Sequence, residues 1–170
     1  FFENKSLNRN INIETYLGSE IAVEDIDEFM FDLDYDYEFF KKIKEVSSYR
    51  YILINGIVES VGEIHHFLHI ANKTKEPYVI FCFGLSEEVK VTILNNNKLG
   101  RFTVLPVCLN VNDEGSLNIM NDIAAILGTN VVSSDLGQTI SQEIKKELPV
   151  GNKISFFNKK ISIEPTVSEK

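Results

Sequence analysis

The stretch that decides the fold spans residues 50–137 and reads RYILINGIVESVGEIHHFLHIANKTKEPYVIFCFGLSEEVKVTILNNNKLGRFTVLPVCLNVNDEGSLNIMNDIAAILGTNVVSSDLG. Apolar runs alternate in it with amphipathic stretches, which predicts four strands separated by three helices, a βαβαβαβ unit. The predicted strands are residues 51–54, 78–83, 102–107 and 131–132, and the predicted helices are residues 61–71, 87–99 and 117–127.

Local signals support these helix boundaries. Ser60 followed by Glu63 is a capping box, which marks the start of the first helix. Gly100 and Gly128 are typical stops for the second and third helices. Pro77 cannot continue a helix and opens the next strand.

Sheets of this kind place their chemistry just beyond the carboxyl ends of the strands. Those ends carry Asn55-Gly56, residues 84–86 and residues 110–113, without a glycine-rich phosphate loop or a nucleophile beside a base. A dinucleotide site is disfavoured because the spacing from Gly56 to Gly62 is wrong, and a response-regulator receiver lacks its paired acids. The pattern favours a binding module over a catalyst.

Composition narrows the class of partner. The chain has 170 residues, 44% hydrophobic and 25% charged, which suits one domain with a proper core. A net charge of −8 disfavours nucleic acid as a partner, and the absence of a long apolar run disfavours a membrane-spanning helix. Cys82 and Cys108 fall in apolar runs, and we expect reduced core residues. Because the chain begins Phe1-Phe2 without Met, we expect it to be a piece of a longer protein.

Outside the central block, residues 29–40 alternate strictly. Aromatic and apolar side chains occupy one parity and Asp32, Asp34, Asp36 and Glu38 the other, which predicts an extended strand. Its aromatic face fits either burial in a core or a protein-binding surface. We also predict a short strand at residues 11–14, a short helix at 141–147 and a hairpin formed by 153–157 and 160–164.

Two patterns suggest metal sites and neither is complete. Asp32-x-Asp34-x-Asp36 resembles the opening of a calcium loop, but Tyr37 stands where that loop needs Gly and Ile43 where it needs Glu. His65 and His69 are four residues apart on one helix face, beside His66, yet no further ligand is placed to complete a site. The sequence therefore predicts no metal centre.

Several stretches resemble one protein family, the group I (GroEL-type) chaperonins. Residues 121–137, NDIAAILGTNVVSSDLG, resemble the family's run QDIATLTGGTVISEEIG, and the likeness continues upstream without gaps to Glu76-Pro77, whose strand resembles KPLLIIAED. Residues 31–40 resemble FDRGYLSPYF, and residues 11–32 match in length the family's ITVEEGRTLEDELEVVEGMRFD.

The resemblance implies an α/β fold, the three-layer β/β/α apical domain with a βαβαβαβ core and a C-terminal β-hairpin. It implies a residual intermediate-domain or linker segment at residues 1–28, an apical polypeptide-binding domain at 29–164 and a tail at 165–170. In that family, a groove between two outer helices and an aromatic segment binds non-native polypeptides and the co-chaperonin lid. ATP and Mg belong to the equatorial domain, and its GDGTTT loop is absent here. The resemblance thus implies no cofactor and no ATPase activity for this chain.

The family's binding residues can be carried over by position. They fall on Tyr35, Tyr37, Phe39, Phe40, His65, Leu68, Lys90, Leu94 and Asn95. We expect Leu68 and Leu94 to lie on facing helices with partly exposed side chains. His65, Lys90 and Asn95 are polar replacements that reduce the apolar area, which predicts a narrower client set. The family's GFGDRR loop falls on residues 111–116, without its arginines.

A second interpretation stays open from the sequence alone. It is a small-ligand or regulatory α/β domain, including an enzyme domain that uses Asp32, Asp34 or the histidines. Such a domain should show a deep polar pocket at the strand ends, whereas a chaperonin module should expose a shallow groove between its outer helices. For the chaperonin interpretation, we expect a homo-oligomeric parent ring in a bacterial-type cytoplasm or an organelle matrix.

Overall fold

The computed structural model describes residues 29–32, 37–40, 43–109, 114–133, 136–157 and 160–166, which fold as a mixed α/β structure with a curled mixed sheet. Its strands are β1 Phe29–Asp32, β2 Glu45–Asn55, β3 Ile57–Val58, β4 Pro77–Cys82, β5 Gly84–Leu85, β6 Thr103–Cys108, β7 Val132–Ser133, β8 Val150–Phe157 and β9 Lys160–Ile163. Its helices are α1 Tyr37–Phe40, α2 Val61–Thr74, α3 Glu87–Lys98, α4 Glu114–Leu127 and α5 Ile140–Glu143.

The predicted βαβαβαβ unit is confirmed as β2-α2-β4-α3-β6-α4-β7. Strands β2, β4 and β6 are parallel neighbours, and β7 pairs in parallel with the last residues of β2. The first half of β2 pairs antiparallel with β8, and the sheet continues through β9 to β1. The strand order of the main sheet is β1-β9-β8-β2-β4-β6, with β7 beside β2.

The order of the strands sets which helices share a face. The connections from β2 to β4 and from β4 to β6 step in one direction, so their right-handed crossovers place α2 and α3 on the same face. The connection through α4 steps back and places α4 on the other face. Side chains agree with this division, because the Phe67 ring of α2 lies 5.0 Å from the Tyr78 ring, whereas the Tyr51 hydroxyl donates to the Leu127 carbonyl of α4 at 2.9 Å.

The predicted capping box at the start of α2 is confirmed. The Glu63 carboxylate accepts hydrogen bonds from the Ser60 backbone N–H at 2.9 Å and from the Ser60 hydroxyl at 3.1 Å. Gly100 and Gly128 follow α3 and α4 with φ of 66° and 64°, as expected of helix stops. At the end of α2 the left-handed residue is Lys75, with φ of 61°. Because this residue is not a glycine, the sequence did not predict the position.

The extended strand predicted for residues 29–40 is wrong for its second half. Among the described residues of this stretch, Phe29–Asp32 is a strand and Tyr37–Phe40 is a helical turn. Phe39 and Phe40 are both buried, and consecutive side chains of a strand cannot both face one core, whereas those of a helical turn can. Tyr35 and the predicted strand at residues 11–14 lie outside the described residues.

The C-terminal predictions are confirmed with changed bounds. The hairpin consists of β8 and β9, which pair antiparallel and put Phe157 opposite Lys160. The short helix α5 ends at Glu143, earlier than the predicted 147. Residues 1–28 and 167–170, which carry the predicted linker segment and most of the tail, lie outside the described residues.

Two of the three strand ends expected to carry chemistry are used for pairing. β3 follows β2, and β5 follows β4, and these two short strands pair in parallel. The Phe83 N–H donates to the Gly56 carbonyl and the Ser86 N–H to the Val58 carbonyl, each at 3.0 Å. Residues 110–113, at the third strand end, lie outside the described residues.

The junction of β2 with β8 is closely packed. Tyr49 is fully buried, and its register partner on β8 is Gly151. A Cβ atom at Gly151 would collide with the Tyr49 ring and would lie 2.7 Å from its hydroxyl oxygen. Glycine therefore leaves the space that the ring of Tyr49 fills.

Candidate functional site

The helices α2 and α3 lie side by side and present the surface where the groove was predicted. On α2, His65, Leu68 and Asn72 share one flank because they are three or four residues apart. The Asn72 side chain accepts a hydrogen bond from Lys75 Nζ at 3.1 Å, and the same ammonium donates to the Arg101 carbonyl, just beyond α3. This flank of α2 therefore faces α3.

The flank of α3 that faces α2 carries Asn96. Its side-chain oxygen accepts a hydrogen bond from Arg101 at 3.1 Å, and the Arg101 carbonyl binds Lys75 at the end of α2. Leu94 is two residues from Asn96, so the two side chains point about 200° apart around the helix.

Lys90 and Leu94 instead lie on the flank of α3 that also carries Asn97. The Asn97 side chain binds both backbone groups of Val104, accepting from its N–H at 3.0 Å and donating to its carbonyl at 2.7 Å. In the described sheet β6 is an edge strand, so this flank overlooks the free edge of β6. Leu68 and Leu94 therefore lie on neighbouring helices, as predicted, with Leu94 on the flank of α3 nearer the edge of β6.

Leu68 differs from its predicted exposure. Its side chain is only 8% exposed and belongs to the buried core, so the prediction of a partly exposed Leu68 is wrong. Leu94 is partly buried against the same core, whereas His65 and Asn95 are exposed. Lys90 is partly exposed, and its ammonium pairs with the Glu87 carboxylate at 3.4 Å.

The part of the aromatic segment that the structure describes is Tyr37–Phe40, which forms α1. Helix α1 packs near β6, and the Phe40 ring lies 4.4 Å from the Phe156 ring of β8. Phe39 and Phe40 are both core residues. Tyr37 begins α1, its side chain lies outside the described atoms, and Tyr35 is not described.

An exposed apolar residue on α3 was missed by the sequence analysis. Val91 is 52% exposed and lies three residues before Leu94, on the outward side of the helix. A signal for it was present, because Val91 falls off the inward stripe of Val89 and Ile93. An apolar residue off the stripe of an amphipathic helix faces solvent or a partner.

The histidines of α2 form no metal centre with other described residues. His65, His66 and His69 are exposed, and no group of three or more His, Cys, Asp or Glu side chains among the described residues is close enough to hold a metal ion. Asp32 is the register partner of Lys160, and Asp34 lies outside the described residues.

A cleft of about 180 Å³ opens on the other flank of α2, lined among others by Arg50, Phe67 and Tyr78. The Arg50 guanidinium donates to the Leu148 carbonyl at 2.7 Å and to the Glu76 carboxylate at 3.2 Å. Glu76 directly precedes β4, so this cleft lies near the amino ends of the parallel strands, opposite the end where such folds place ligands.

Comparison with known proteins finds a relative that aligns with most of the chain. The chain is 22% identical over 153 residues to the RuBisCO large subunit-binding protein subunit alpha of the Chlamydomonas reinhardtii chloroplast. The match covers 87% of this chain and 26% of the relative, so the chain spans about a quarter of that relative's length. That relative is a group I chaperonin. No protein-family profile matches the chain.

Within the part of the chain that the structure describes, none of the helices combines the length and the apolar character needed to cross a bilayer.

Proposed function

We propose that this chain is the polypeptide-binding, apical-type domain of a group I chaperonin. Three features support the proposal: the motif in residues 121–137, the 22% identity to a chaperonin subunit across most of the chain, and the α/β architecture. In this role the chain binds non-native client polypeptides and performs no catalysis of its own.

The observation that carries the proposal is the outward face of α3. Val91 is 52% exposed, and Leu94, one turn later, is partly buried against the core. Leu99, the C-cap residue that follows the helix, is exposed. Exposed apolar side chains cost solubility and are usually kept for binding. Anchors three or four residues apart on one helix suit an extended or helical apolar segment of a client.

The polar neighbours limit what this surface binds. Lys90 is paired with Glu87, Asn95 is exposed, and His65 stands on the flank of α2 that faces α3. Each of them replaces apolar area worth about 25 cal/mol per Å². We therefore propose a narrower client set than an all-apolar groove would accept.

The remaining partners belong to the parent protein in this proposal. The co-chaperonin lid docks on the same face of α3, ATP and Mg bind a separate equatorial domain, and that domain assembles the homo-oligomeric ring. The parent works in a bacterial-type cytoplasm or an organelle matrix. Calorimetry with millimolar ATP should show no binding to this chain, and micromolar affinity would contradict the proposal.

A matched pair of substitutions tests the client surface. Val91→Glu should weaken binding of a fluorescently labelled, permanently unfolded protein by about tenfold or more, because it places a charge in the apolar contact. Leu117→Glu is the control, because Leu117 is 43% exposed on α4, on the opposite face of the sheet. Fluorescence anisotropy measures both. No binding by the unmodified chain, or equal loss in both variants, would overturn the proposal.

A further inference from the structure

The two cysteines lie side by side at the ends of neighbouring strands. Cys82 is the last residue of β4 and Cys108 the last of β6, and they are register partners in the parallel ladder. Their Sγ atoms are 3.8 Å apart. Cys82 is fully buried, and Cys108 is partly exposed.

The backbone at this position suits a bond between them. Neighbouring strands lie about 4.8 Å apart, within the roughly 4.4–6.8 Å between Cα atoms that disulfides span. Register partners also point to the same face of a sheet. Because both residues end their strands, closing the remaining gap between the sulfur atoms needs only local adjustment of strand ends.

We propose that Cys82 and Cys108 form a reversible disulfide by exchange with a low-molecular-weight disulfide such as oxidised glutathione. The Cys108 thiolate attacks one sulfur of the oxidant, forming a mixed disulfide and releasing one thiolate. The Cys82 sulfur then loses its proton, attacks the Cys108 sulfur and releases the second thiolate. Two protein thiols are oxidised to one disulfide, and one oxidant disulfide is reduced to two thiols.

The order of the two steps follows from the surroundings of each sulfur. The hydrogen bond with Cys108, together with burial, raises the pKa of the Cys82 thiol well above its usual range. Cys82 is also closed to solvent, so an external disulfide reaches the partly exposed Cys108 first. Cys82 then acts as the resolving thiol within the folded chain.

The bond would lie beneath the helices of the proposed client surface. Tyr78 of β4 contacts α2, and Cys82 shares its parity along the strand, so its side chain faces the α2–α3 layer. Two residues after Cys82 begins β5, which leads through Ser86 into α3. A disulfide would tie this connection to the end of β6. The inference does not depend on the proposed function, since thiol chemistry is measured without a client.

The test is incubation of the folded chain with oxidised glutathione, followed by thiol titration in denaturant and peptide mapping by mass spectrometry. The unmodified chain should lose both thiols and yield one linked peptide pair without a glutathione adduct, and dithiothreitol should restore both thiols. Cys82→Ser should keep glutathione on Cys108. In Cys108→Ser, Cys82 should stay unmodified while circular dichroism shows a folded chain.

The inference is overturned if the unmodified chain keeps both thiols, if it accumulates an adduct on Cys108, or if it forms only disulfide-linked dimers. These readings come from the unmodified chain, so they remain decisive should either serine variant fail to fold.

Discussion

The inner and outer sides of the α2–α3 layer both carry apolar residues, but for different reasons. On the inner side, Leu68 and Ile93 are buried against the sheet, so packing alone accounts for their apolar character. On the outer side, Val91 is exposed although nothing in the described fold requires an apolar residue there. The apolar character of the inner residues is explained by packing in the core, so only the outer apolar residues indicate a binding partner. Substitutions on each side test this division between buried and exposed apolar residues.

The largest expected effect is on the inner side. Leu68→Ala should lower the free energy of unfolding by about 3 kcal/mol, because it leaves a cavity beneath α2. Leu94→Ala, on a side chain that is only partly buried, should cost roughly 1 kcal/mol. Urea unfolding followed by circular dichroism compares the two. Similar losses in both variants would remove the distinction between the two leucines.

A substitution that adds volume tests the packing of the sheet itself. Gly151→Ala should cost about 2 kcal/mol, because the new methyl group collides with the buried ring of Tyr49. Gly56→Ala is the control, since a Cβ atom there meets nothing within 4 Å. That variant should change stability by no more than about 0.5 kcal/mol. A tolerated Gly151→Ala would show that Tyr49 can move aside.

Alkaline pH should weaken the same part of the core. Burial, with smaller effects of Tyr51 and Glu164, raises the pKa of Tyr49 far above its usual value, so the folded state holds its proton where the unfolded state releases it. This stabilisation is complete below about pH 10 and is lost above it, by about 1.4 kcal/mol for each pH unit.

Tyr49→Phe is the matching control for that pH dependence. The Tyr49 hydroxyl has no hydrogen-bond partner among the described residues, so the variant should fold normally at neutral pH. Its stability should fall less steeply between pH 10 and 11 in thermal melts. Burial also raises the pKa of Tyr51, so part of the slope remains. An unchanged slope would show that Tyr49 does not contribute.

The smallest expected effect is at the start of α2. Glu63→Ala should cost about 1 kcal/mol, because the helix loses the carboxylate that accepts from Ser60. Glu88→Ala, in the first turn of α3, should cost only a few tenths of a kcal/mol through the helix dipole. Thermal melts at matched pH compare the two. Equal losses would mean that the capping box contributes nothing beyond its charge.

Much of the fold could be predicted from the sequence because its signals are local. The alternation of apolar runs, the Ser60–Glu63 box and the stops at Gly100 and Gly128 lie within a few residues of the elements they define. The end of α2 could not be predicted in this way, because Lys75 adopts a left-handed conformation that is unusual for lysine. The structure of residues 29–40 was predicted wrongly because two adjacent residues, Phe39 and Phe40, are both buried in the core, which a strand does not allow.

The candidate site was less accessible from sequence because it depends on how elements are rotated and paired. Position-by-position comparison placed Leu68 and Leu94 on facing helices, but it did not predict that the attachment of Asn97 to Val104 fixes the flank of α3 that carries Leu94. The approach of Cys82 to Cys108 depends on the register between β4 and β6. Strand register over such separations is set by the whole sheet and has no local signature.

The short pairing of β3 with β5 has a consequence for motion. It joins the two segments that lead into α2 and α3, through the Phe83 N–H to Gly56 and the Ser86 N–H to Val58. We expect α2 and α3 to move together as one rigid unit rather than independently. The amide hydrogens of Phe83 and Ser86 should then show the same free energy of opening in hydrogen exchange. In the proposed function, a client bound to α3 would then also displace α2.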